Sequence, residues 1–382
     1  MKIVLNAIDA TSSMLDREPD PSLTSVGVSN TPCLVEHDDV FPLKNRATHL
    51  DLLERNGGKC SDTGKLHEER VLNFRKVELV PGIFRSSAPD DIADLLKDNS
   101  SPKDATSPLS DSERFLLHEA TLWIDLRLPH EINAEKVETI AKNAWGGPFE
   151  RVSFNDPRGW EVALGCSGSA TKVDGTASNR RFYLCFEDSY LSEASFLKYA
   201  ESNWISPEVL ANAPDEDTRE ALTFKAVEEA GLTGLYEVLL ETKQFIVVVL
   251  QAITLHLEQR SRQRKIDSDS KPAKVLFHCT LGKDRTGLIA MICQHLMGAS
   301  DEQIVNDFGK SDCVRDLAKR VLKHYFKGKV DLSRWCLADA SAMTHTLMYI
   351  RNRYGSIHGY LHQIGFDQSW IQRLVEAFSI EN

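Results

Sequence analysis

The passage KVLFHCTLGKDRTGLIAMICQHLMG, Lys274 to Gly298, constrains this chain more than any other. AKVLFHC is an apolar run of strand length, and RTGLIAMICQHLMG has the length and apolar content of a buried helix that ends at Gly298. Between them Cys279 and Arg285 stand six positions apart, across a turn that contains Gly282. A strand that turns through glycine into a helix gathers backbone N–H groups at the positive end of the helix. That arrangement binds an anion such as phosphate or sulfate.

Two phosphate chemistries compete for such a loop. A nucleotide loop needs Ser or Thr directly after Gly-Lys to hold magnesium, but Gly282-Lys283 is followed by Asp284-Arg285, so that reading fails. The other reading fits. Cys279 faces the N–H groups of Thr280, Leu281, Gly282 and Lys283, which favour a thiolate. Arg285, on the first helical turn, grips two phosphate oxygens in a fork that lysine does not reproduce. Attack of the thiolate on phosphorus gives a phosphocysteine that water then hydrolyses. Arg285 and the amides supply the charge compensation, so the reading calls for no metal and no cofactor.

The leaving group of a phosphate ester needs a proton, and three aspartates compete to supply it. Asp284 lies in the loop itself, Asp156 in SFNDPRG after a strand candidate, and Asp125 at the end of WIDLR. Asp125 also has a structural reading, as the partner of Arg127 or of the loop backbone. Lys283 stands between two readings: a charge beside the phosphate that favours doubly phosphorylated or inositol headgroups, or an exposed turn lysine.

The string HCTLGKDRTG resembles the bacterial and fungal family of atypical tyrosine phosphatases with a Gly-Lys-Asp-Arg loop. Other segments resemble that family in the same order: NFRKVELVPGIFRSS its opening, WIDLRLPHEI its Asp-Leu-Arg strand with a following Glu, and MGASDEQIVNDF and RNRYGSIHGYLHQIGF its C-terminal helices. The resemblance runs from about Val71 to Phe378. It departs from the family at Lys76-Val77-Glu78, where an acidic residue and a glycine are usual. It implies a tyrosine-phosphatase-like α/β fold, with a central, mostly parallel sheet flanked by helices and an extended helical C-terminal part. It also implies that Thr286 offers its hydroxyl to the sulfur, that His278 orders the loop, and that Asp284 or Asp156 is the general acid. Some of the helical material forms a lid in that family.

The pattern along the chain agrees with an α/β fold. GIFRSS, ATLWIDLR and FERVSF read as strands, and helical pattern dominates from Tyr190 to Arg260. Residues 1–70 read as an irregular N-terminal extension, residues 71–382 as the phosphatase domain, and segments near 98–112 and 163–181 as inserted loops. The run RSRQRKIDSDSKPAK, Arg260 to Lys274, reads as a solvated loop.

The chain has 382 residues, 42% of them apolar, which suffices for a sizeable core. A net charge of −11 argues against nucleic acid as a partner. The eight cysteines are scattered without zinc spacing. No apolar run reaches the length of a transmembrane helix, and no targeting segment is evident, so the expected location is cytoplasmic. The leading expectation is hydrolysis of phosphotyrosine in proteins. A phosphoinositide phosphatase, a phosphate-binding pseudoenzyme or scaffold, and a sulfurtransferase or arsenate reductase are the rivals.

Overall fold

The computed structural model describes residues 71–90, 110–140, 150–152, 182–186 and 189–380, apart from 269, 271 and 324. The chain divides into two compact units between residues 66 and 67, and every described residue belongs to the second. The expected extension at 1–70, the loop at 163–181, nearly all of the loop at 98–112, and Asp156 lie outside the described residues. Where the loop at 98–112 re-enters the described residues at Ser110, that serine caps a short helix, Asp111–Arg114.

A six-stranded sheet forms the centre: β1 (Arg75–Lys76), β2 (Ile83–Ser86), β3 (Leu122–Asp125), β4 (Glu150–Val152), β5 (Phe182–Phe186) and β6 (Val275–His278). Its order is β1-β2-β6-β3-β5-β4, and only the edge pair β1/β2 is antiparallel. The expected α/β architecture with a mostly parallel sheet is therefore present. The strands expected from the sequence do not include β5, although FYLCF between two arginines and an acidic pair is a strand signal.

Both faces of the sheet are covered, as parallel strands require. Ile83, Leu122, Ile124, Leu184, Val275 and Phe277 enter one core, and the alternating Trp123, Tyr183, Cys185 and Leu276 enter another. Phe115, Leu116 and Leu117, with Val137 and Ile140 of α1 (Ala134–Ile140), close the second face. The first face carries most of the helices. α2 (Glu193–Trp204) packs on α3 (Glu216–Glu241), which is broken at Gly231, and α4 (Gln244–Ile266) follows. The helix α5 (Asp284–Leu296) is buried without interruption from Thr286 to Gln294, so it runs through the core rather than over it.

Beyond α5 come α6 (Asp301–Gly309), α7 (Arg315–Leu322), α8 (Ala340–Tyr354), α9 (Ile357–Gln363) and α10 (Gln368–Ile380). FIVVVLQAITLHL lies in α4, packed against α10. The basic run expected to be a loop is helical as far as Ile266, because α4 continues through Arg264 and Lys265 before the chain turns. Among the described residues, no single helix is long and apolar enough to cross a membrane.

The parallel strands bring their carboxyl ends to one edge. Register places Ser86 and Asp125 on either side of His278, and the Leu126 N–H donates to the His278 carbonyl at 2.7 Å. Cys279 leaves the sheet from this edge, between β2 and β3. In open parallel sheets that is where ligands bind.

Candidate active site

The loop from Cys279 to Lys283 joins β6 to α5, giving the strand, turn and helix that the spacing implies. Gly282 has φ +65, and a Cβ there would sit 2.2 Å from the Ser86 carbonyl oxygen. Glycine is thus required by conformation and by space. The carbonyls of the loop are tied outward. Asn73 Nδ2 donates to the Gly282 oxygen at 2.7 Å, Arg85 Nη2 donates to the same oxygen at 2.8 Å, and the Ala88 N–H donates to the Thr280 oxygen at 3.2 Å. A trans peptide sets N–H opposite to C=O, so the N–H groups of Leu281 and Lys283 point to the inner side of the loop.

This outer clamp is a buried charge network. Arg75 and Arg85 both bond Asp307, at 3.0 and 3.1 Å, and both reach Ser311. Arg85 is 1% exposed, which fits a structural role better than contact with a substrate. Burial and the neighbouring Arg75 bring its pKa down to about 10, so it remains a cation at neutral pH.

Arg285 is held by Glu131. Its Nη1 donates to Oε2 at 2.5 Å and its Nη2 to Oε1 at 2.8 Å. Nη1 also donates to the Leu126 carbonyl at 3.2 Å and lies 3.4 Å from the Tyr190 hydroxyl. A guanidinium has five N–H groups. Nε–H and one Nη2–H, adjacent on one edge, have no acceptor among the described residues. That pair is the fork that matches two oxygens of one phosphate.

Glu131 was not singled out from sequence, although PHE follows the Asp-Leu-Arg strand. It also accepts from Thr280 Oγ1 at 2.9 Å, the Leu128 N–H at 2.7 Å and the Tyr325 hydroxyl at 3.3 Å. Burial alone would raise its pKa, but the charge and hydrogen bonds of Arg285 outweigh that and bring it down to about 2.

Asp125 proves to be a support. It is fully buried, with Arg127 Nε at 2.9 Å and Nη2 at 2.7 Å on its two oxygens, and it accepts from the Arg127 N–H at 3.0 Å and the Tyr183 hydroxyl at 2.8 Å. Burial would raise its pKa, but His278 and Arg127 hold it well below the usual carboxylate range. A carboxylate so bonded has no proton to give, which removes it from the three candidates for the general acid. His278 packs between this carboxylate, 3.7 Å from Nε2, and the Cys279 carbonyl, 3.3 Å from Nδ1. Burial lowers its pKa against the pull of Asp125.

Lys283 fits neither of its expected readings. It is fully buried, and its Nζ donates to the carbonyls of Trp335 and, at 2.9 Å, Leu337. The ammonium therefore anchors the loop to the segment around Trp335, and only the backbone N–H of Lys283 is available to an anion. Asp284 opens α5 with its side chain 16% exposed, and its Oδ1 accepts from Tyr236 at 3.0 Å. The Thr286 hydroxyl is buried with no partner among the described residues.

Cys279 itself is 2% exposed. Leu281 beside it packs with Val314, Ala318 and Cys336, so the stretch from α6 to α8 lies over the loop. Cys293, on α5, is fully buried and burial pushes its thiol up to about 12, which disqualifies it as a resolving thiol.

The profile of the tyrosine phosphatase family matches residues 104–379, well over half of the chain and all of the loop just described. The chain belongs to the tyrosine phosphatase family. Among curated proteins, this phosphatase family member is similar to a tyrosine-protein phosphatase of Nostoc commune, 29% identical over 123 residues, or 26% of the chain and 37% of that protein. It is also similar to the triple specificity protein phosphatase PtpB of Mycobacterium tuberculosis, 28% identical over 131 residues, or 30% of the chain and 48% of that protein. The match thus spans less than half the length of either relative. β1 and β2 precede the profile match, yet they supply Arg85 and the strand against which Gly282 packs.

Proposed function

We propose that this phosphatase family member hydrolyses phosphate monoesters through a phosphocysteine on Cys279, with phosphotyrosine in proteins as its substrate class. The observation that carries the reading is the free edge of Arg285, held by Glu131 beside the end of β6. The phosphate sits in the loop, on the N–H groups of Thr280 to Lys283 and on Nε–H and Nη2–H of Arg285. The Cys279 sulfur attacks phosphorus as the P–O bond to the leaving phenol breaks, and Asp284 gives that oxygen its proton. Water then attacks the phosphocysteine, Asp284 takes a proton back, and the S–P bond breaks with the Thr286 hydroxyl supporting the departing sulfur.

The phosphoinositide alternative drew on the family resemblance and on a free charge at Lys283, and the burial of that ammonium removes the second of these. A binding scaffold would need no nucleophile, yet Cys279, Arg285 and Thr286 are all retained around one loop. The chemistry requires a reduced Cys279, in keeping with a cytoplasmic location. Turnover of a generic aryl phosphate in the presence of a chelator tests the reading. Wild type is expected to turn over and Cys279→Ser to be inactive; no wild-type turnover would sink the enzyme, and turnover that depends on metal would sink the mechanism. A panel of phosphopeptides and inositol phosphates then decides the substrate class.

Glu131→Gln leaves a buried guanidinium without its counter-charge. We expect a loss of about 3 kcal/mol in stability at neutral pH, together with a fall in kcat. Because folding lowers the Glu131 pKa from 4.5 to about 2, its ionised form stabilises the native state above pH 4.5, and that contribution is lost as pH falls towards 2. Urea denaturation of wild type and variant should therefore give a difference that is constant near neutrality and shrinks below pH 4.5. A difference independent of pH over that range would contradict the assignment.

A further inference from the structure

Tyr236 lies on α3, far in sequence from the loop, and is fully buried. A buried tyrosine hydroxyl needs a partner. Of the other buried tyrosines, Tyr360 donates to the Leu240 carbonyl at 2.7 Å and Tyr183 to the supporting carboxylate of Asp125 at 2.8 Å. Tyr236 donates to Oδ1 of Asp284, the carboxylate beside the loop, at 3.0 Å. Its ring is fixed edge-on against Phe308 of α6, with centroids 5.9 Å apart.

The two oxygens of Asp284 are not equivalent. Oδ1 takes the Tyr236 hydroxyl and lies 3.4 Å from Lys283 Nζ, whose own position is set by the carbonyls of Trp335 and Leu337. Oδ2 accepts from no described residue, and the side chain remains partly exposed beside the loop. Burial, with the charge of Asp284, raises the Tyr236 pKa well above 10, so the phenol stays a donor across the working range of the enzyme. With Oδ1 bonded to the Tyr236 hydroxyl and facing the Lys283 ammonium, a proton carried by Asp284 sits on Oδ2.

We propose that Tyr236 is a positioning residue for the proton transfer, holding Oδ1 of Asp284 so that Oδ2 faces the leaving-group oxygen. The inference rests on the reading of Asp284 as the general acid. In the first step the Oδ2 proton passes to the ester oxygen as its bond to phosphorus breaks and the S–P bond forms. In the second step Oδ2 takes a proton from the attacking water as the S–P bond breaks. Tyr236 keeps its own proton throughout and touches neither substrate nor sulfur.

Tyr236→Phe removes the hydroxyl and keeps the ring that packs on Phe308. The test compares nitrophenyl phosphate, whose leaving group departs without a proton, with phenyl phosphate, which needs one. Tyr236→Phe should lower the phenyl-to-nitrophenyl rate ratio about tenfold, the effect of losing one orienting hydrogen bond of about 1.4 kcal/mol. Asp284→Asn should lower the ratio further, and adding Tyr236→Phe to Asp284→Asn should change it no more. A merely structural role for Tyr236 would lower both rates alike, and that outcome overturns the proposal. If Asp284→Asn leaves the ratio unchanged, the reading of Asp284 as the acid fails instead. If Asp284→Asn lowers the ratio and Tyr236→Phe does not, Asp284 stands as the acid and the role given to Tyr236 is wrong.

Discussion

Arg285→Lys should lower kcat/KM for an aryl phosphate by about 10³-fold while the protein still folds. The reason is a count of donors. Glu131 takes one N–H from each terminal nitrogen of Arg285, the Leu126 carbonyl takes another, and the remaining edge serves the phosphate. A lysine ammonium has three donors on one atom, and cannot satisfy Glu131, Leu126 and two phosphate oxygens together. It keeps the charge beside Glu131, so thermal unfolding should move far less than activity. Inhibition by inorganic phosphate should weaken in parallel with kcat/KM, because both use the same edge of the guanidinium. A variant within tenfold of wild type would mean that the charge matters and the fork does not.

Gly282→Ala should be nearly as damaging by a different route. Its φ of +65 costs an L residue about 1–2 kcal/mol, and the added Cβ would overlap the Ser86 carbonyl oxygen, 2.2 Å away. The backbone of β2 cannot retreat easily, since Ser86 pairs with His278 and Arg85 is bonded to Asp307. The loop must move instead, and a shift of about 1 Å at such a site costs roughly 10²-fold in rate. We expect the variant to melt lower than wild type and to lose activity on good and poor leaving groups alike. That equal loss separates it from Tyr236→Phe. An alanine variant with wild-type kcat/KM would show that the loop is not held where the structure places it.

What the sequence made legible follows from the range of the interactions. Cys279 and Arg285 are read together because a strand, a turn and a helix, all local, set their distance. Glu131 lies 154 positions from Arg285 and Tyr236 lies 48 from Asp284, and no local pattern announces such pairs. The Glu following Asp-Leu-Arg was visible as part of a resemblance, but its role needed the fold. Lys283 shows the converse limit. Its place in the loop was legible, but the direction of its side chain depends on carbonyls 52 and 54 residues away. The basic run after Arg260 reads as a loop from the Ser, Asp and Pro residues that follow closely, yet α4 carries the helix to Ile266 before they act. Among the three aspartates, burial and four donors decide against Asp125, which spacing alone left open.

The central claim is that phosphate passes through a covalent bond to the Cys279 sulfur. It is tested most directly by quenching the reaction in acid within the first turnover of an aryl phosphate and mapping the phosphoryl group by peptide mass spectrometry. The account predicts one phosphoryl group per chain on the peptide that carries Cys279, and none in Cys279→Ser. Turnover without any label on that peptide, or a label on another residue, would contradict it.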